Sequence, residues 1–298
     1  MLREIHNFEL YRYQIIPIER KQLDLFNISE KSIDELLENK NAYFIEAFNN
    51  LCSNSYLDEI EGLKKILFKK IYPKTELDKS DVYIYLMARP KSITMETNEF
   101  TTQELENWPK VYVIVLNQPD EQIIAIEKRT TAFPKTQNAI SKLSERLNKI
   151  LEINNLSVHI NPIYDKKVFW EFIQGKSIKK LEFNLITPNM SNISKTLNDD
   201  LKNLAKTSNT ARTDLRLNAA ENTSLIIDKD NQLINDLVEY SRQGGGSIRV
   251  QCKGARRLTD LNTKISFFSC DYMEVIGPPE NIKKTILSII EGENNGDI

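Results

Sequence analysis

Glycine is scarce in this chain, at 9 of 298 residues, and cysteine and histidine are scarcer still, at 3 and 2. Cys52, Cys252 and Cys270 are widely spaced and odd in number, which excludes a disulfide framework and fits a reducing compartment. With His6 and His159 as the only imidazoles, no HExxH, no CxxC and no His/Cys pair at ligand spacing exists, so a zinc site is not expected. His159 lies in a strand pattern and reads as a structural imidazole. No apolar run approaches the ~18 residues that span a bilayer. The opening MLREIHNFEL carries charges where a signal peptide would be apolar, so the expectation is a soluble, cytoplasmic protein.

What is present is 40% hydrophobic residues, enough for substantial cores, and a formal net charge of only -2. The charge divides unevenly. Through Trp108 there are 14 Lys and Arg against 19 Asp and Glu, whereas from Pro109 onward there are 26 against 23. The later part is therefore the better candidate for meeting a polyanion.

Periodicity gives a coarse map. A strand over Tyr11 to Ile18 is followed by a helix that Ser32 and Glu35 would cap and that buries Ile33, Leu36, Leu37, Phe44, Ile45 and Phe48. A second helix from about Ser55 would bury Leu57, Ile60, Leu63 and Leu67, with Lys64, Lys65, Lys69 and Lys70 solvated. After a strand over Val82 to Ala88, the polar stretch Arg89 to Pro109 reads as irregular and as a boundary. The expected organisation is a helix-rich α+β domain over 1–105 and an α+β domain over 106–298. The fold class is α+β, mainly antiparallel sheet with helices packed on one face.

Beyond the boundary, Val111 to Leu116 and Gln122 to Lys128 read as a hairpin, and Pro134 opens a helix through Ile140, Leu143, Leu147 and Leu151. Strands follow over Leu156 to Ile163 and Ile178 to Ile186, then a helix through Ile193, Leu197, Leu201 and Leu204. Arg212 to Asp228 is extended, and Asp230 caps a helix that Gly244, Gly245 and Gly246 stop. The final strand, Lys264 to Ile276, leads into a terminal helix.

Motifs for chemistry fail on inspection. Gly175, Lys176 and Ser177 resemble the end of a Walker A loop, but Trp170 stands where its first glycine belongs and a strand follows where a helix should. The three glycines end a helix, so outward carbonyls rather than amides would meet a ligand. Acid-x-Lys spacings, Glu19 with Lys21 and Glu38 with Lys40, lack the paired strand acid that a restriction-type metal site needs. No catalytic residue, metal or cofactor is expected.

One feature survives. Arg242, Arg249, Lys253, Arg256, Arg257 and Lys264 stand against the single acid Asp260. Ile248, Val250 and Cys252 alternate with Arg249, Gln251 and Lys253, so a strand here turns its cations to one exposed face, with Arg256 and Arg257 on the adjoining loop. Lys202 and Lys206 on the preceding helix, with Arg212 and Arg216 after it, could extend the surface. The expected nucleic-acid contacts are therefore Arg249, Lys253, Arg256, Arg257, Lys202, Lys206, Arg212 and Arg216, all to phosphates.

The segment VYVIVLNQPDEQIIAIEKRTTAFP, the strand VHINP and then FIQGKSIKKLEFNLITP, within Val111 to Asn189, resemble the phage-exclusion protein family RexA of lambdoid phages and related bacterial phage-defence proteins. Gly175, Lys176, Ser177, Lys180, Glu182 and Leu185 carry the likeness. It implies a dimeric sensor or adaptor of antiphage defence that binds double-stranded DNA and works through a separate membrane or ATPase effector. The alternatives are a metal-dependent nuclease effector of such a system, and a protein-interaction subunit that docks an acidic partner.

Overall fold

The computed structural model describes residues 5–18, 38–53, 65–73, 80–119, 121–165, 167–186, 210, 212–261 and 264–291. The expected Ser32 capping box, the helix from Ser55 to Leu63, and the helix carrying Lys202 and Lys206 lie outside them. Among the described residues the fold is α+β: antiparallel sheets with helices packed against them.

The larger sheet has seven strands: β1 (Ile5–Pro17), β2 (Leu67–Tyr72), β3 (Val82–Ala88), β6 (Lys110–Asn117), β7 (Gln122–Glu127), β8 (Leu156–Pro162) and β13 (Phe267–Asp271). Its order is β13-β1-β7-β6-β3-β2, and β8 also pairs with β1. Strands from both sides of the expected 105/106 boundary thus share one hydrogen-bonded sheet, with β3 on β6 and β1 on β7. The central hairpin explains its own apolar sequence: Val111 through Leu116 and Gln122 through Glu127 are all buried, because both faces of the sheet are covered.

On one face lie α1 (Lys40–Ser53) and α2 (Thr136–Leu151), packed on Tyr11, Tyr13, Tyr85, Val113 and Ile124. Phe44, Ala47, Phe48 and Leu51 of α1 recur at helical spacing, so burying them fixes the helix on the sheet. Phe44 stacks on Tyr13 with ring centroids 3.9 Å apart. The other face takes α5 (Tyr272–Ile276) and α6 (Pro279–Glu291), whose Val275, Ile282, Ile286 and Ile290 pack on Phe8, Ile84, Ile114 and Phe268. Helices on one face, as expected, describe the smaller sheet, whereas the larger sheet carries them on both.

The smaller sheet has the order β10-β9-β11-β12, from β9 (Ile178–Ile186), β10 (Arg212–Asn218), β11 (Gly246–Cys252) and β12 (Thr259–Asp260). Leu181, Phe183, Leu185, Ile248 and Val250 point to a third core formed with Phe169 of α3 (Lys167–Ile173) and Ile234, Leu237 and Val238 of α4 (Gln232–Tyr240).

Several sequence expectations change here. Leu67–Tyr72 is a strand paired with β3, not the end of a helix, because its Cα register with Ala88 to Ile84 completes the sheet edge. The stretch expected to be irregular forms a ribbon of β4 (Lys91–Glu96) and β5 (Thr102–Asn107), every residue of it exposed. The last expected strand stops at Asp271, whose carboxylate accepts from the Glu274 amide at 2.9 Å while Glu274 accepts from the Asp271 amide at 2.6 Å. That reciprocal cap starts α5. Asn231, not Asp230, caps α4, accepting from the Ile234 amide at 3.2 Å. His159 faces solvent on β8 rather than filling a structural niche.

The three glycines form the junction between the sheets. Gly244 has φ 87, and a Cβ there would meet Arg12 Cβ of the larger sheet at 2.9 Å. At Gly246 a Cβ would lie 2.1 Å from the Asn184 carbonyl oxygen of β9. The run ends a helix, as its composition indicates, and also allows the chain to pass between two packed backbones.

Candidate nucleic-acid interface

Alternation on β9, β10 and β11 places Lys180, Glu182, Asn184, Asp214, Arg216, Ser247, Arg249 and Gln251 on the face opposite the third core. Register decides what the arginines do. Glu182 is the Cα partner of Arg216 on one side and of Arg249 on the other. Glu182 is buried, and its carboxylate accepts from Arg216 Nε at 2.5 Å and pairs with Arg249 Nη2 at 3.1 Å. Arg249 also lies in register with Asp260 of β12.

This row is nearly neutral, and its charge-assisted bonds compete with any phosphate. Arg216 and Arg249 therefore lock three strands together rather than projecting free charge. Arg212, at the other end of β10, is exposed and in register with Ile186.

Two further cations of the expected cluster are engaged within the chain. Arg242 is buried, held by the Glu239 carboxylate and donating to the Ile290 carbonyl oxygen at 2.8 Å. Lys264 pairs with Asp165 at 3.4 Å. Each ties the smaller sheet's helices to neighbouring segments.

The hairpin beyond β11 is different. Lys253, Gly254, Ala255, Arg256 and Arg257 are exposed, and among the described residues no ion pair engages Lys253, Arg256 or Arg257. Gly254, with φ 84, supplies the positive φ of the turn. The Lys253 amide donates to the Ser177 carbonyl oxygen at 2.8 Å. That bond brings the β9 entry beside the hairpin, so the backbone of Lys176, Lys179 and Lys180 lies at the same end of the sheet as that of Lys253, Arg256 and Arg257.

Lys176 is exposed, and Lys179 donates to the Ala220 carbonyl oxygen at 3.4 Å. Glu221, three residues past β10, is an acid at the same end. Among the described residues, these six cations, with Glu221 and Asp260 as nearby acids, stand on backbone fixed by sheet pairing and can hold successive phosphates of a polyanion. Sequence reasoning placed the hairpin cations and missed Lys176, Lys179 and Lys180. The Gly175-Lys176-Ser177 turn was the available signal, and Gly175 with φ 69 after α3 makes it the turn into β9.

Lys202 and Lys206 lie outside the described residues. Among the described residues, no group of three or more His, Cys, Asp or Glu is placed to hold a metal ion, and no helix is long and apolar enough to cross a membrane.

Comparison with curated proteins and with solved structures finds no match. Residues 28–253 match the family described as domain of unknown function DUF4747, three quarters of the chain and the whole of the smaller sheet up to the basic hairpin. The chain therefore belongs to the DUF4747 family.

Proposed function

We propose that this protein binds nucleic acid through the basic end of its smaller sheet, with Lys253, Arg256, Arg257, Lys176 and Lys180 contacting phosphates. The observation that carries the reading is the Lys253 to Ser177 backbone bond, which joins two short basic segments into one rigid edge. Double-stranded DNA is the proposed partner. Arg249 and Arg216 then act as positioning residues that hold β9, β10 and β11 in register. The resemblance to phage-exclusion proteins supplies the setting: a cytoplasmic, homodimeric sensor or adaptor of antiphage defence, acting through a separate membrane or ATPase effector.

Filter binding with the full chain tests the contact. Replacing Lys253, Arg256 and Arg257 together with Ala is expected to weaken duplex binding at least tenfold near physiological salt. The slope of log affinity against log salt should flatten by about 2 to 3, near 0.9 for each lost contact. Unchanged affinity and slope would remove the hairpin from the interface.

A further inference from the structure

Beside the basic end, α3 raises an aromatic wall. Trp170 is half-buried and sits edge-on to Phe169, with centroids 4.8 Å apart at 83°. Lys229 Nζ stands 5.8 Å from the Trp170 ring centre, and Lys176 Nζ 3.6 Å from that of Phe172. A depression on either side of Trp170 differs in chemistry. The larger, about 510 Å³, sets Asp165, Glu171, Glu239 and Glu291 against Lys167, Lys229 and Arg242, so it offers an anion no clear excess of positive charge. The smaller, about 290 Å³, is lined by Trp170, Gln174, Gly175, Lys176, Ile227 and Lys229 among others, and among the described residues no acid lines it.

These groups specify a ligand. A flat π surface and aliphatic side chains suit a planar ring, the Gln174 amide offers both a donor and an acceptor to a ring edge, and two lysines suit an attached phosphate. The volume is at the low end for small-ligand sites, about 300–1,000 Å³, room for one base with its sugar but not for a paired step. Lys176 belongs to this depression and to the basic edge alike, so a strand held by that edge would have a base within reach of Trp170. We infer that the depression beside Trp170 takes one unpaired nucleobase with its phosphate. This rests on the reading of the basic end as a nucleic-acid interface and adds to its duplex contact a place for an exposed base.

Trp108 and Trp170 are the only tryptophans, so Trp108→Phe leaves Trp170 as the sole reporter. In that chain a short single strand is expected to quench Trp170 fluorescence, whereas a blunt, fully paired duplex is not. Trp170→Leu keeps apolar bulk but loses the π face, and should weaken single-strand binding about tenfold while changing duplex binding less than twofold. Trp170→Phe should restore most of the loss.

A mononucleotide titration separates two sources of the same chemistry: stronger quenching by the strand assigns the site to nucleic acid, and equal quenching assigns it to a free nucleotide. No quenching by either, or equal quenching by strand and duplex, overturns the inference. So does unchanged single-strand affinity in a Trp170→Leu chain whose circular dichroism matches the parent. Should that variant misfold, Lys229→Gln in the Trp108→Phe background reads the same quench, and an unmoved midpoint counts against the site. If the hairpin triple variant weakens binding and Trp170→Leu does not, only this inference fails; if neither does, the interface itself is wrong.

Discussion

The two main sheets solve different problems with the same strand geometry. In the larger, β6 and β7 are buried on both faces and spend nearly every side chain on packing. In the smaller, one face closes a core and the other keeps ions, amides and hydroxyls in register. A sheet buried twice is a scaffold, while one buried once has side chains available for recognition.

Ile114→Ala, in the doubly buried hairpin, should produce the largest effect, a loss of about 2–5 kcal/mol in denaturant unfolding, because it opens a cavity in a fully enclosed layer. A loss below that of a one-sided position such as Leu217→Ala would undo the contrast. Glu182→Gln comes next. It leaves Arg216 and Arg249 without their shared carboxylate, at a cost of about 1–3 kcal/mol moderated by the arginines' exposure. The same change should weaken duplex binding, since the strands that carry the basic edge lose the carboxylate that holds them in register; unchanged or tighter binding would contradict the arginines' role as positioning residues.

A smaller effect belongs to the thiols. Burial pushes Cys52 up to about 11 and Cys270 to about 12, from an ordinary 9.0. The folded chain keeps these protons while unfolded thiols lose theirs, so this contribution is fully present below pH 9 and is lost as pH rises from 9 through about 11 to 12. The double variant Cys52→Ala, Cys270→Ala should flatten that slope in a pH series of thermal melts. Smallest of all, the Lys253, Arg256, Arg257 triple Ala variant should shift stability by no more than about 0.5 kcal/mol even as binding falls, because exposed side chains at a hairpin tip hold nothing up.

How much was visible beforehand follows the same divide. Continuous apolar runs made β6 and β7 legible, and β9 ends where Ile178 to Ile186 indicate. The β4–β5 ribbon was missed because it buries neither face, so Ile93 and Met95 alternate without a hydrophobic partner layer. Leu57, Ile60, Leu63 and Leu67 have helical spacing, yet the chain around Leu67 joins the sheet, where edge pairing overrides local pattern.

At the site, exposed cations on a tight turn could be read directly. Neutralisation of Arg216 and Arg249 could not, because it depends on which residue of β9 stands opposite each. Nor could the gathering of Lys176 with Lys253, which depends on one hydrogen bond between segments distant in sequence.

The strand β1 lies before residue 28 and β13 after residue 253, so the limits of the family match omit both. Yet β1 pairs with β7, β8 and β13. A fragment trimmed to those limits would leave β7 and β8 with bare amide and carbonyl edges in place of their neighbour, a template for association with other chains. Expression of the excised family region should yield aggregates, and restoring both the strand Ile5–Pro17 and the segment through Glu291, which covers the sheet's other face, should recover soluble material.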